Sequence, residues 1–454
     1  MKRALFFDSA LLPSGWTQDV RLEIEDGIIR SVSSNASREG AGHHPGIAVP
    51  GMPNMHCHAF QRAMAGLAER RGPANDSFWT WRELMYRFLA QLTPDDIEVI
   101  AAFAYMEMLE AGYTTVTEFH YLHHDPKGRP YDDVGELVGR IAAAAKSTGI
   151  GLTLLPSLYV TGGFGGASPT AGQKRFLNNP DRFLDLVARS RAIVAELPEA
   201  RIGIAPHSLR AVPPEMLRIV VAACPQMPIH IHAAEQVKEV EDSVAVLGAR
   251  PVEWLLNNAD VGPHWCIIHA THMVPKETGA LARSGAVAGL CPLTEASLGD
   301  GIFDGARYIA ASGRVGVGTD SNIQIDAAAE LRQLEYGQRL SLRERNVFAS
   351  REAESVGRHL FEAALAGGAQ ACARPVGSID VGRRADLVLL DRDHPDLAVG
   401  TDDHWLDAWI FVTGRTAVRE VLIGGERVVA DGRHRDHDLL TRRYVAAVTR
   451  LLAA

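Results

Sequence analysis

Residues 47–58 read Ile47-Ala-Val-Pro-Gly-Met-Pro-Asn-Met-His-Cys-His58, a mostly apolar run that closes on two histidines one residue apart. Read as a strand, the run puts both imidazoles on one face, because strand side chains alternate with period two. Two ligands of one ion need that geometry. Alone, such a pair describes two packed or exposed histidines equally well, so its weight depends on what other strand ends carry.

Working outward, short apolar runs alternate with longer helical stretches, the pattern of repeated β-α units around a parallel sheet. Eight strands are expected, over 47–58, 114–121, 152–159, 202–208, 229–235, 266–272, 287–291 and 315–320. Residues 95–111, 181–195 and 327–340 carry apolar residues at helical spacing, the first behind a Thr93-Pro94 start signal. No G-x-G-x-x-G follows the first strand, so an open dinucleotide-binding sheet loses support and a closed (β/α)8 TIM-like barrel is expected. Two irregular stretches, 69–77 and 161–173, have the texture of loops over a site.

The two ends of the chain share a different texture, with short apolar stretches broken by Asp-Gly, Pro-Ser-Gly and Gly-Gly turn signals. We expect them to pair as a small β-sandwich domain from residues 1–48 and 374–435. The barrel then occupies 49–373, and 436–454 form a C-terminal helix.

Composition narrows the function classes. A formal charge of −9 and a pI near 6.1 disfavour nucleic acid or an anionic membrane surface as partner. Five cysteines, Cys57, Cys224, Cys266, Cys291 and Cys372, are odd in number and never spaced C-x-x-C. That argues against a disulfide framework and for a reducing, cytoplasmic setting. No targeting or membrane-spanning segment is expected, since no uninterrupted apolar run approaches bilayer length.

In a barrel the last residues of each strand open onto the catalytic mouth. Here they are His56 and His58, His232 with Glu235, His269, and Asp320. That gathering turns the first histidine pair into a metal-site expectation. His230 shares the parity of His232 but lies deeper, so it is assigned to packing or to supporting the ligands from behind. His43, His44, His123, His124, His434 and His437 fall in polar stretches and are expected to face solvent.

The ordered set of His-x-His, His, His and Asp resembles the amidohydrolase superfamily, and residues 377–391, Gly-Ser-Ile-Asp-Val-Gly-Arg-Arg-Ala-Asp-Leu-Val-Leu-Leu-Asp, resemble its closing β-sandwich segment. Within it, Pro53-Asn-Met-His-Cys-His-Ala-Phe-Gln-Arg62, Ala205-Pro-His-Ser-Leu-Arg210, Ile231-His-Ala-Ala-Glu235 and Cys291-Pro-Leu-Thr-Glu-Ala-Ser-Leu-Gly-Asp-Gly301 are similar to the formimidoylglutamate deiminase branch. That resemblance implies hydrolysis of N-formimidoyl-L-glutamate to N-formyl-L-glutamate and ammonia in histidine degradation, by a homodimer. It makes His56, His58, His232 and Asp320 the metal ligands and Glu235, His269 and Asp320 the catalytic groups. It assigns substrate contacts to Gln61, Arg82, Tyr121, His207 and Arg210. The bridging lysine that two-metal members carry at the end of strand four is replaced here by Ala205-Pro206-His207-Ser208, so one divalent ion is expected. Zinc is the expectation by resemblance, with ferrous iron compatible with the same ligands.

Such an ion lowers the pKa of its water from about 15.7 towards roughly 7, which at about 1.36 kcal/mol per unit makes hydroxide available at a saving of about 12 kcal/mol. Glu235 would then shuttle protons, His269 would hydrogen-bond the developing oxyanion, and guanidinium groups would hold the two carboxylates. Two alternatives remain open at this point. One is a deaminase of a purine, pyrimidine or triazine-like ring, which would want an aromatic and amide-lined pocket. The other is a noncatalytic scaffold that kept its metal site.

Overall fold

The computed structural model describes residues 2–71, 76–350 and 353–453. The chain opens with strands β1 (Lys2–Leu12), β2 (Gly15–Glu25), β3 (Ile28–Ser33) and β4 (Gly42–Pro50). β1 pairs antiparallel with β2, from Lys2 opposite Glu25 to Leu12 opposite Gly15, and parallel with β4.

The barrel follows: β5 (Met52–Cys57), β6 (Tyr113–His120), β7 (Gly151–Leu158), β8 (Arg201–Ile202), β9 (Ala205–Pro206), β10 (Ile229–Ala233), β11 (Trp265–His269), β12 (Val287–Leu290) and β13 (Arg314–Val317). β5 to β8 pair in order, β9 adds to β7, and β10 to β13 pair in order, all parallel. Parallel bridges Ile204 to Ile229 and Ser208 to His232 join the halves on one side, and Cys57 to Asp320 joins them on the other. The cylinder is therefore closed, as the strand count predicts.

Two of the expected strands are divided. Residues 47–58 do not form one strand: Ile47 to Pro50 pair with the terminal sheet and only Met52–Cys57 enters the barrel. The bend falls at Gly51, where a Cβ would lie 2.2 Å from Thr114 Cγ2, so only glycine lets the chain pass. Strand four, expected over 202–208, is broken into β8 and β9. Ile204 N donates instead to Pro228 O, and Pro206 has no N–H to give to a ladder.

The late strands β14 (Leu387–Leu390), β15 (Val418–Ile423), β16 (Glu426–Ala430) and β17 (Arg433–His434) extend the terminal sheet in the order β17-β16-β15-β14-β4-β1-β2-β3. The architecture is thus a (β/α)8 TIM-like barrel with a small β-sandwich domain assembled from both chain ends. The small domain has its own core, including Phe7, Val20, Leu22, Ile29, Leu387 and Leu422. A separate cluster of Met55, Cys266, Ile268, Val287 and Cys291 fills part of the barrel interior.

Helix α1 (Phe78–Leu89) covers the mouth, and α2 (Pro94–Glu110) is capped by Thr93 and Asp96 in reciprocal hydrogen bonds. The helical stretches expected at 95–111, 181–195 and 327–340 are observed as Pro94–Glu110, Pro180–Val194 and Ala327–Leu342. The last helix, His437–Ala453, lies on α2, stacking Tyr444 on Phe103 with ring centroids 3.9 Å apart. Of the irregular stretch expected at 69–77, residues 72–75 lie outside the described residues. In 161–173 only two short 3-10 turns form, Phe164–Gly166 and Ala171–Gln173.

Candidate metal centre and active site

The ends of β5 and β13 meet. His58 N donates to Asp320 O and Asp320 N donates to His56 O, both at 3.0 Å, so the backbone itself sets Asp320 against the histidine pair. Gly318 permits the approach, since a Cβ there would lie 2.7 Å from His56 N and O. Across the mouth, His232 N donates to His207 O at 3.0 Å.

The side chains converge as the backbone does. His56 Nε2 lies 3.2 Å from His232 Nε2, and Asp320 Oδ1 lies 3.4 Å from Nε2 of both His56 and His58. His58 Nδ1 donates to Phe119 O at 2.8 Å and His232 Nδ1 to His207 O at 2.9 Å. A carbonyl only accepts, so both rings carry hydrogen on Nδ1 and turn the Nε2 lone pair inward, as ligating histidines do. Burial lowers the pKa of all three imidazoles, His56 to about 3, and keeps them neutral. Burial works against charge on Asp320 too. The hydrogen bond from His56 and the positive charge of His269 outweigh it and hold the carboxylate below its usual range. Three neutral imidazoles whose Nε2 atoms gather beside an ionised carboxylate are a donor set that fits a divalent cation.

A second triad of ligand-type atoms, on His269, Cys291 and Asp320, also lies within 4.8 Å. Burial pushes the Cys291 thiol well up, which leaves it a neutral and poor donor.

Beside this centre sit Glu235 and His269, with Glu235 Oε1 3.7 Å and Asp320 Oδ2 3.8 Å from His269 Nε2. Burial pushes the Glu235 carboxyl up to about 7 against the pull of His269 and Arg210. Burial alone would lower His269. The charge of Glu235, the hydrogen bond to Glu295 and the charge of Asp320 overcome it and carry the imidazolium up to about 10.

Three strand-end residues, Ala234, His269 and Asp320, take positive φ of 56°, 67° and 43°. Such conformations cost non-glycine residues roughly 1–3 kcal/mol each and cluster at functional sites. Those at Ala234 and His269 also explain why β10 and β11 stop short of the expected ends at 235 and 272. The Ala234 turn is held by Glu239, whose carboxylate accepts from Ala234 N at 3.2 Å and Glu235 N at 3.0 Å.

All five expected substrate residues line one pocket with the centre: Gln61, Arg82, Tyr121, His207 and Arg210. Gln61 Nε2 donates to Tyr121 Oη at 2.9 Å while its Oε1 is buried without a partner. His207 Nδ1 is 3.1 Å from Ser208 Oγ. Arg82 Nε and both Nε and Nη1 of Arg210 are buried without acceptors, and among the described residues neither arginine has a carboxylate within ion-pair distance.

Some expectations fail. His123, His124 and His434, expected at the surface, are buried at 4%, 6% and 3% exposure. Each donates from Nε2 to a backbone carbonyl, Ser157 O, Leu177 O and Thr148 O respectively. Their polar sequence neighbours gave the opposite signal. His43, His44 and His437 remain partly exposed and pair with Asp8, Glu420 and Glu110. His230 packs as expected, its Nε2 on Ala371 O. The sequence reading missed Glu295, 3.2 Å from His269 Nδ1. Placed in the first turn of the short helix Pro292–Leu298, it has the sequence signature of an ordinary helix-start acid.

The amidohydrolase family model matches residues 47–428, and one described as formimidoylglutamate deiminase HutF, N-terminal domain, matches residues 2–44. The chain is 52% identical over 451 residues to formimidoylglutamate deiminase of Pseudomonas aeruginosa, covering 99% of each. It is 30% identical over 427 residues to 5-methylthioadenosine/S-adenosylhomocysteine deaminase of Natronomonas pharaonis, covering 91% of this chain and 89% of that one. The crystal structure of an amidohydrolase from Brucella melitensis matches with a TM-score of 0.95 and 49% identity, covering 99% of this chain and 100% of that one.

Proposed function

The chain belongs to the amidohydrolase family, and from that premise we propose that His56, His58, His232 and Asp320 hold one divalent ion, zinc, for its reaction. The reaction is the hydrolytic deimination of N-formimidoyl-L-glutamate to N-formyl-L-glutamate and ammonia, a step of histidine degradation. When bound, the cation supplies an acidified water as nucleophile. One ion suits strand four, which presents Ala205-Pro206-His207-Ser208 in place of a bridging lysine.

The remaining steps fall to the chain's own residues. Glu235, with its carboxyl raised towards neutrality, is poised both to accept the proton of the attacking water and to deliver it to the imino nitrogen. Attack leaves a carbon bearing one oxygen and two nitrogens. His269 Nε2 lies between Glu235 and Asp320 and donates towards the oxygen as it gains charge. Asp320 assists the second proton transfer, so that the protonated nitrogen leaves as ammonia and the carbonyl forms.

Arg82 and Arg210 take the two carboxylates, with Gln61, Tyr121 and His207 as neutral partners. Their unpartnered guanidinium nitrogens support an anionic substrate over a flat neutral ring. A homodimer in the cytoplasm completes the reading, by family likeness and by five buried free cysteines. No helix among the described residues is long and apolar enough to cross a membrane.

The observation that carries this reading is the meeting of four strand-end ligands with the Glu235 and His269 pair in one pocket. Ammonia release from N-formimidoyl-L-glutamate tests it directly. Turnover should vanish on chelation and return with zinc, whereas turnover that survives complete metal removal excludes the proposed centre.

A further inference from the structure

The two unpaired arginines share one ring. Arg82 Cζ lies 4.7 Å from the Trp79 ring centroid and Arg210 Cζ lies 5.6 Å from it. Tyr86 adds a second face to Arg82 at 5.6 Å, and Phe78 a second to Arg210 at 5.9 Å. Among the described residues Trp79 is the one aromatic ring common to both cations. Arg82 and Trp79 belong to α1, three residues apart and so on one side of the helix, whereas Arg210 follows β9 on the barrel. The indole therefore ties the covering helix to the barrel at the place where two positive charges converge.

Two like charges in a partly desolvated pocket repel, and among the described residues neither is held by a carboxylate at ion-pair distance, Glu239 and Glu235 attracting Arg210 only from farther away. An aromatic face attracts a cation through its ring quadrupole and does so without neutralising it. A carboxylate partner in the same place would occupy the forks that an incoming anion needs.

Resting on the substrate reading above, we propose that Trp79 is a positioning residue that fixes the spacing of Arg82 and Arg210 and so selects substrates with two carboxylates at the glutamate separation. A ring that only packs would serve a monocarboxylate as well as a dicarboxylate. A ring that sets the distance between two guanidinium groups discriminates by charge number and by chain length.

The test uses purified, metal-loaded wild type, Trp79→Leu, which keeps apolar bulk without a π face, and Trp79→Phe, which keeps the face. Each is assayed for ammonia release from N-formimidoyl-L-glutamate, the shorter N-formimidoyl-L-aspartate and the monocarboxylate N-formimidoyl-4-aminobutyrate, with metal content measured in parallel. For Trp79→Leu we expect KM for the glutamate substrate to rise at least tenfold and by more than kcat falls. We also expect its preference over the other two substrates to shrink at least tenfold, metal content to match wild type, and Trp79→Phe to recover most of both. Unchanged preference ratios in Trp79→Leu overturn the proposal. So does an equal loss on all three substrates, or a Trp79→Leu chain that fails to fold while Trp79→Phe keeps the wild-type preference, since either outcome makes the ring a packing element. Wild type that releases ammonia from none of the three substrates removes the substrate reading and this proposal with it, before any variant is compared.

Discussion

His269 is gripped from both sides: its Nδ1 lies 3.2 Å from Glu295 Oε1 while its Nε2 faces Glu235 Oε1 at 3.7 Å. Glu295 Oε1 also accepts from Cys291 N at 2.9 Å, so the carboxylate that orients the ring is itself held by the end of barrel strand seven. The ring thus presents a donor to the reacting oxygen without having to reorient.

Replacing Glu295 by Gln keeps its shape and removes its charge. We expect kcat to fall about 10- to 100-fold, the scale on which outer partners of metal sites act, with KM changed less than threefold and metal content intact. An equal loss of bound metal would make Glu295 a structural support of the centre.

Glu235→Gln should retain the ion and the fold, because Glu235 is three residues beyond the ligand His232 and its turn is held by Glu239 through backbone N–H groups. Turnover should drop by about 10²–10⁴, the range for a lost acid-base group. Metal analysis beside the ammonia assay checks it, and a loss below tenfold removes Glu235 from proton transfer.

Arg210→Gln should raise KM for N-formimidoyl-L-glutamate by about 10- to 150-fold, from about 1.5–3 kcal/mol for a hydrogen bond to a charged group. Metal content should not change. Kinetics equal to wild type would exclude the contact.

At the end of β6, burial lowers His120 to about 3 against a backbone hydrogen bond at Leu122. The unfolded chain binds a proton there below about pH 6.5 and the folded chain refuses it, so stability falls as pH falls through that value. At pH 5 the cost is about 2 kcal/mol, from about 1.36 kcal/mol per unit over about 1.5 units. His120→Leu should therefore lose less of its thermal stability than wild type between pH 7.5 and pH 5. Parallel losses would show that His120 is not among the residues driving acid sensitivity.

The features legible in sequence were those with a fixed period or place. The His56 and His58 pair follows from alternation along a strand, and Asp320 and His232 from their position at strand ends. Tertiary effects hid the rest. Nothing local announces that the backbone turns to positive φ at His269, that Gly51 bends one expected strand into two, or that β8 and β9 share the fourth position. His123 and His124 sit among polar neighbours yet are buried by the segment around Arg175 and Leu177, more than fifty residues away by Leu177, a contact no window of sequence contains. Trp79 reads as an ordinary helix residue until Arg210, from another part of the chain, is laid over it.

Anomalous X-ray scattering from crystals of the purified protein, collected above and below the zinc edge, puts the convergence of His56, His58, His232 and Asp320 to the most direct test. A single peak within about 2.0–2.2 Å of one nitrogen from each histidine and one oxygen of Asp320 is the predicted result. An empty centre in fully active protein, or a peak bound by other side chains, would contradict it.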